Sequence, residues 1–176
     1  MASVSRFNVF AILLTASLMW TTGCPAGAGG LYGDDGGGAD NDDDGNGGGD
    51  GIEHNFTAEL TGNQEVPAVQ TDASGSGTFT LNAEGTELTF AVTVTTGLSG
   101  PVTLAHFHEA PPGTSGPIVF EITAFVEQAA DGTVSANGAW ELGSGDVQAL
   151  LDGDVYVNFH TALNPPGEVR GQLVEE

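Results

Sequence analysis

From Phe56 onward, apolar and polar side chains alternate in short runs set off by turn-forming residues. Phe56–Thr61, Gly77–Asn82, Thr86–Thr95, Thr103–Glu109, Ile118–Phe125, Thr133–Trp140, Asp154–His160 and Glu168–Val174 each read as a strand. The pieces between them, such as Asn82-Ala83-Glu84-Gly85, Ala110-Pro111-Pro112-Gly113 and Asp131-Gly132, hold the residues that turns require. Ser144-Gly145-Asp146-Val147-Gln148-Ala149-Leu150-Leu151 reads as a short helix, with Ser144 expected as its N-cap. About eight strands with one short helix predict an all-β domain, an antiparallel Greek-key β-sandwich.

The last two strands select their own register. With His160 opposite Glu168, Phe159 faces Val169, Val157 faces Gly171 and Val155 faces Leu173 on one side. On the other side Asn158 meets Arg170, and Tyr156 meets Gln172. A slip of one residue would mix the two sets, so only this pairing separates apolar from polar. The same alternation places His106 and His108 on one face of their strand. The polar side of the sheet is thus expected to gather His106, His108 and His160 with a cluster of Glu65, Asn158, Glu168, Arg170 and Gln172. Arg170 is expected to pair with Glu65 and Glu168.

Charge narrows the partners. The 176 residues carry 24 acids against two bases, Arg6 and Arg170, for a net charge of −22. Such a field disfavours nucleic acid and anionic lipid surfaces and suits divalent cations or basic partners. Solubility or a salty medium accounts for the acidity equally well. Abundant Gly and plentiful Thr and Val favour strands and turns.

The N-terminus reads as an export signal. Phe7–Trp20 is apolar, as long as a signal-peptide core and too short to span a bilayer comfortably. It leads into Thr21-Thr22-Gly23-Cys24, which resembles the bacterial lipoprotein signal, although Thr21 stands where an aliphatic residue is usual. Residues 1–23 are therefore expected to be a lipoprotein-type signal peptide and Cys24 the lipidated residue. An ordinary secretory signal with a free thiol is the alternative. Cys24 is the sole cysteine, which excludes an intramolecular disulfide. Residues 24–51 read as a Gly/Asp-rich acidic spacer and residues 52–176 as the folded domain. Asp40, Asp42 and Asp44 before Gly45 imitate the start of a calcium loop. Gly51 stands where the bidentate Glu belongs, so a solvated spacer is preferred to a calcium site. The expected location is the cell envelope, membrane-anchored through Cys24, or else secretion. Pro25 after the cysteine favours the outer membrane.

The folded part resembles the CHRD family, named from chordin. The residues that carry the resemblance are Phe56–Pro67 with its Gln64-Glu65-Val66-Pro67 turn, Gly75-Ser76-Gly77-Thr78-Phe79, Leu88-Thr89-Phe90, Ala105-His106-Phe107-His108 and Gly116-Pro117-Ile118-Val119. The closing block Tyr156-Val157-Asn158-Phe159-His160-Thr161, then Asn164-Pro165-Pro166-Gly167-Glu168-Val169-Arg170-Gly171-Gln172, is the most specific. The resemblance implies an all-β extracellular domain. In chordin such domains belong to a secreted growth-factor antagonist, a role not carried over to a bacterial-type lipoprotein.

Three neutral imidazoles on one sheet face suit zinc or copper, with Glu109, Glu168 or a water to complete the coordination. Leu104–Glu109 also resembles the H-V-H-E strand of copper/zinc superoxide dismutases, which makes a dismutase-like redox enzyme one alternative. Against it stand the missing disulfide pair and the missing further His/Asp cluster; His54 lies at the linker junction. The other alternative is a structural or protein-interaction module. There the histidines bond Asn158, Glu168, Arg170 or carbonyls and hold the loops Glu109–Pro117 and Thr161–Gly167. No serine sits in a nucleophile elbow, and nothing brackets a cleft around Glu65, Glu109 and Glu168. The expected role is non-enzymatic binding of a metal ion or an extracellular protein, and not of nucleic acid.

Overall fold

The computed structural model describes residues 51–95 and 97–176. The expected signal peptide, Cys24 and the Asp40, Asp42 and Asp44 run lie outside the described residues. The strands are β1 (His54–Thr61), β2 (Ser74–Leu81), β3 (Glu87–Val94), β4 (Val102–Glu109), β5 (Ile118–Glu121), β6 (Val126–Gln128), β7 (Val134–Glu141), β8 (Val155–Thr161), β9 (Val169–Gln172) and β10 (Val174–Glu175). One helix, α1 (Ser144–Leu151), precedes β8. The strands form one sheet in the order β5-β4-β8-β9-β1-β2-β3-β7-β6, with β10 also paired to β1. The strand pairings are antiparallel.

The sheet curls over on itself. Phe107 on β4 has its ring 5.9 Å from Phe79 on β2, 5.4 Å from Phe90 on β3 and 5.4 Å from Trp140 on β7. Phe120 on β5 stacks on Trp140, also at 5.4 Å. Strands from opposite halves of the order thus meet face to face, in a sandwich-like curled half-barrel whose interior collects the apolar parity of each strand. Phe56, Leu60, Phe79, Leu88, Phe90, Val92, Val157 and Phe159 are all buried there. Val147, Ala149 and Leu150 of α1 join the same core.

Two local expectations change. The run Ile118–Phe125 is not one strand: it breaks at Ile122 into β5 and a 3₁₀ turn, Thr123–Phe125, which leads into β6. β5 and β6 lie at opposite ends of the sheet order, so this turn carries the chain from one edge to the other. Gly138 on β7 makes room for it, since a Cβ there would lie 2.5 Å from the Phe125 ring. The second change is at α1, where Gly143 rather than Ser144 is the N-cap. The Asp146 carboxylate accepts the Gly143 N–H at 2.8 Å, which is half of a capping box and places an acid in the first turn.

Phe107→Ala is expected to destabilise the domain by about 3–5 kcal/mol, because one ring is shared by both halves of the curled sheet. Urea unfolding of the two proteins measures this; a loss below about 1 kcal/mol would show that the halves do not pack through this ring.

Candidate metal centre

β8 is buried along its whole length, on both faces. Its inner face belongs to the apolar core. Its outer face, shared with β4 and β9, lies under loops. The pairing is the one the alternation selects, with Tyr156 opposite Gln172, Val157 opposite Gly171, Asn158 opposite Arg170 and Phe159 opposite Val169. On the other side of β8, His106 pairs with Asn158 and His108 with Tyr156. The outer layer therefore carries His106, His108, Tyr156, Asn158, His160, Arg170 and Gln172, and all seven are buried.

The three histidines come together, each offering one ligand atom, with these atoms within 4.8 Å of one another. The other nitrogen of each ring is already engaged. His108 Nδ1 donates to the Gly116 carbonyl at 3.0 Å, and His160 Nδ1 donates to the Pro165 carbonyl at 2.8 Å. His106 Nε2 faces the Glu121 carboxylate at 3.0 Å. Glu121 is the residue opposite His106 on β5. Its carboxyl is lowered first by the Thr123 side chain and further by Thr123 N–H and His106. Carbonyls and carboxylates only accept, so these contacts put the protons on His108 Nδ1, His160 Nδ1 and His106 Nε2. With the three rings neutral, the lone pairs left over are on His106 Nδ1, His108 Nε2 and His160 Nε2. His106 Nδ1 lies 3.0 Å from His160 Nε2, and Asn158 Oδ1 lies 3.0 Å from the same nitrogen. His108 Nε2 is buried without a hydrogen-bond partner. Burial lowers the pKa of both His108 and His160, which favours the neutral imidazoles that a metal requires.

Arg170 departs from the expected ion pairs. It is 1% exposed. Its Nη1 donates to the Thr114 carbonyl at 2.7 Å, and Nη2 donates to Gln172 Oε1 at 2.9 Å and to the Pro111 carbonyl at 3.4 Å. Its Cζ sits 3.4 Å from the centre of the Tyr156 ring, and His108 stacks on that ring at 4.8 Å. Gln172 Nε2 extends the net to the Ala110 and Gly153 carbonyls. Burial lowers the Arg170 pKa, against Tyr156 and Glu65, which raise it. Glu65 thus acts on Arg170 through its charge. Its own pKa rises to about 7, because burial outweighs Arg170, Asn158 and the Val66 N–H. Its Oε1 is buried with no partner, and the carboxylate packs so closely on Gly167 that a Cβ there would collide with it.

Glu168 is corrected outright. Its carboxylate leaves the histidine face and accepts four hydrogen bonds elsewhere, from Thr71 Oγ1 and Ser99 N at 2.8 Å each, Thr161 Oγ1 at 2.6 Å and Ser99 Oγ at 2.5 Å. It is therefore neither a partner of Arg170 nor a metal ligand. Glu109, the other expected acidic ligand, is exposed. The physical reason is local: Glu168 precedes β9, so the alternation that governs Val169–Gln172 does not reach it. Sequence reasoning also missed Glu121, Gly116 and Pro165, which fix the three rings. Glu121 was legible in principle, at the end of a β-rich run long enough to lie beside His106. The two carbonyls belong to loops and leave no side-chain signal.

The residue pattern and the curled antiparallel sheet agree with one comparison. A family model for the CHRD domain matches residues 56–173. The chain belongs to the CHRD domain family. The match takes in all three histidines and the whole polar layer, from Glu65 to Gln172. No curated protein and no solved structure matches the chain. Among the described residues of this CHRD protein, no helix is long and apolar enough to cross a membrane.

Glu168 gives the domain an acid-sensitive pin. Burial alone would raise its pKa, but hydrogen bonds from Ser99, Thr161 and Thr71 overcome this and hold it at about 2. A group lowered on folding contributes stability above its unfolded pKa, and that stability is lost as pH falls through the folded value. The wild type is expected to lose stability between about pH 4.5 and pH 2 on this account. Glu168→Gln should be less stable at pH 7 and flatter over that acid limb. Urea midpoints measured from pH 7 to pH 2 test it, and parallel curves would remove Glu168 from the explanation.

Proposed function

We propose that this CHRD domain binds a transition-metal ion, zinc or copper, through His106 Nδ1, His108 Nε2 and His160 Nε2. The observation that carries the reading is the disposition of the six ring nitrogens. Three converge as buried acceptors, and the other three donate to two carbonyls and a carboxylate. Ligating histidines in metalloproteins are oriented in this way, through the nitrogen that does not touch the metal. A tetrahedral ion with bonds of about 2.0–2.1 Å needs ligand nitrogens about 3.3 Å apart. The 3.0 Å spacing of His106 and His160 is close to this, and a small movement of His108 completes the set. Neutral imidazoles and a half-dry site suit zinc and copper better than the hard cations calcium and magnesium.

The wider role is non-enzymatic binding by an exported, membrane-anchored protein. What supports export is the apolar Phe7–Trp20 run, and what supports the anchor is Gly23-Cys24 at its end. Cys24→Ser is expected to move the protein from the membrane fraction to the soluble fraction and to abolish labelling with a fatty-acid probe. A variant that stays in the membrane fraction argues against the anchor.

A second reading has its own support. His108 and His160 each bond a loop carbonyl, and that alone would pin the loops over β8. The metal test separates the two. Full-length protein without a His tag is expected to carry about one zinc or copper per chain, lost in His106→Ala/His160→Ala. Stripping the metal should lower stability by about 2.7 kcal/mol relative to protein with metal at 100 times its dissociation constant. Metal-free wild type with no response to added zinc or copper would leave the pin.

A further inference from the structure

His106 differs from the other two rings in what fixes it. His108 and His160 donate to loop carbonyls, whereas His106 Nε2 faces a carboxylate oxygen, Glu121 Oε2, at 3.0 Å. Turning the His106 ring over would put carbons where Nε2 now meets Glu121 and where Nδ1 now meets His160, each at 3.0 Å. The ring orientation is therefore fixed by both of its contacts.

The carboxylate is fixed as well. Glu121 closes β5 opposite His106, and Ile122 beside it is fully buried, with its N–H donating to the Ala105 carbonyl at 2.9 Å. Ala105 in turn donates its own N–H to Thr123 Oγ1 at 2.8 Å. Thr123 gives two donors to Glu121 Oε1, its N–H at 3.1 Å and its hydroxyl, for which the Ala105 carbonyl at 3.4 Å is the more distant acceptor. Oε1 is thus committed to Thr123, and Oε2 is the oxygen left for His106. The Thr123 bonds also favour the ionised form of Glu121, in which both oxygens only accept.

We infer that Glu121, clamped by Thr123, is a positioning residue that sets the tautomer of His106: it holds the ring proton on Nε2 and delivers a bare Nδ1 to the metal ion. This inference rests on the three-histidine reading above. It accounts for two histidines on one face of one strand, His106 and His108, offering different ring nitrogens. The carboxylate charge also strengthens the ring as a ligand.

An isosteric change reverses the arrangement. In Glu121→Gln the two Thr123 donors claim the amide oxygen, so the NH2 group faces His106 Nε2. That nitrogen must then accept, the proton moves to Nδ1, and the ion loses a lone pair. Glu121→Ala removes the constraint without reversing it. Zinc affinity should fall in the order wild type, Glu121→Ala, Glu121→Gln, with the last about ten- to a hundred-fold weaker than wild type. A side chain acting only through its shape would put Glu121→Gln above Glu121→Ala, and one acting only through its charge would weaken both alike.

The test combines zinc titrations of the three full-length proteins with nitrogen-15 NMR of their imidazoles. Zinc-loaded wild type should show His106 bound through Nδ1 with its proton on Nε2, and His108 and His160 the other way round. Metal-free Glu121→Gln should carry the His106 proton on Nδ1. The wild-type spectrum needs no variant, so misfolding of either variant does not decide the outcome. His106 bound through Nε2 in the wild type, or Glu121→Gln binding zinc no more weakly than Glu121→Ala, would overturn the role of Glu121 and leave the three histidines standing. No zinc binding by the wild type would overturn both readings together.

Discussion

A strand buried on both faces governs this structure. β8 has apolar residues on its inner side, where they meet the core, and Tyr156, Asn158 and His160 on its outer side, where a sheet normally meets water. Loops cover that outer side, so every polar group beneath them needs a partner of its own or carries a desolvation cost of about 1–3 kcal/mol. The covering loops meet part of this need with their backbone carbonyls. Arg170 bonds those of Thr114 and Pro111, Gln172 that of Ala110, His108 that of Gly116 and His160 that of Pro165. The loops and the sheet face are therefore ordered by the same bonds.

This mutual dependence explains why the sole cation of the described residues forms no direct carboxylate pair. A buried ion pair gains little net stability once both charges lose their water. The planar guanidinium instead spreads its charge over two carbonyls, an amide oxygen and the Tyr156 ring, which a lysine ammonium would not span. Glu65 lies nearby, and burial raises its pKa to about 7 against the opposing pull of Arg170. The surrounding acidity of the chain stays outside, in exposed side chains such as Glu109.

The alternation rule recovered the register of β8 and β9 residue by residue, because segregation of Phe159, Val157 and Val155 from His160, Asn158 and Tyr156 leaves one solution. It also put the three histidines on one face. It failed where alternation stops. Glu168 lies one residue before β9 and turns to Ser99, Thr161 and Thr71 instead. Ser144 looked like a cap because hydroxyl residues favour that position, yet the Asp146 carboxylate reaches the Gly143 N–H first. The short strands β6 and β10 are too brief to show a period. Nor does a sequence pattern say that an outer, polar sheet face is roofed, since roofing is decided by loops whose contribution is mostly backbone.

The pin and metal readings share most of their hydrogen bonds, so the decisive difference is at the centre of the cluster. A polar layer built only to hold loops would match donors to acceptors throughout, as it does around Arg170 and Gln172. Around His160 Nε2 the matching differs. With the rings neutral, their donors are spent on Gly116, Pro165 and Glu121, and the ring atoms left facing one another are acceptors. An extra proton shared by His106 and His160 would relieve one contact, but His108 Nε2 would still be buried and unpartnered. One divalent cation relieves all of them at once. Glu65 Oε1 is another buried atom of the layer without a partner, but at the histidines three ligand atoms converge, and that convergence favours a site over a flaw in packing.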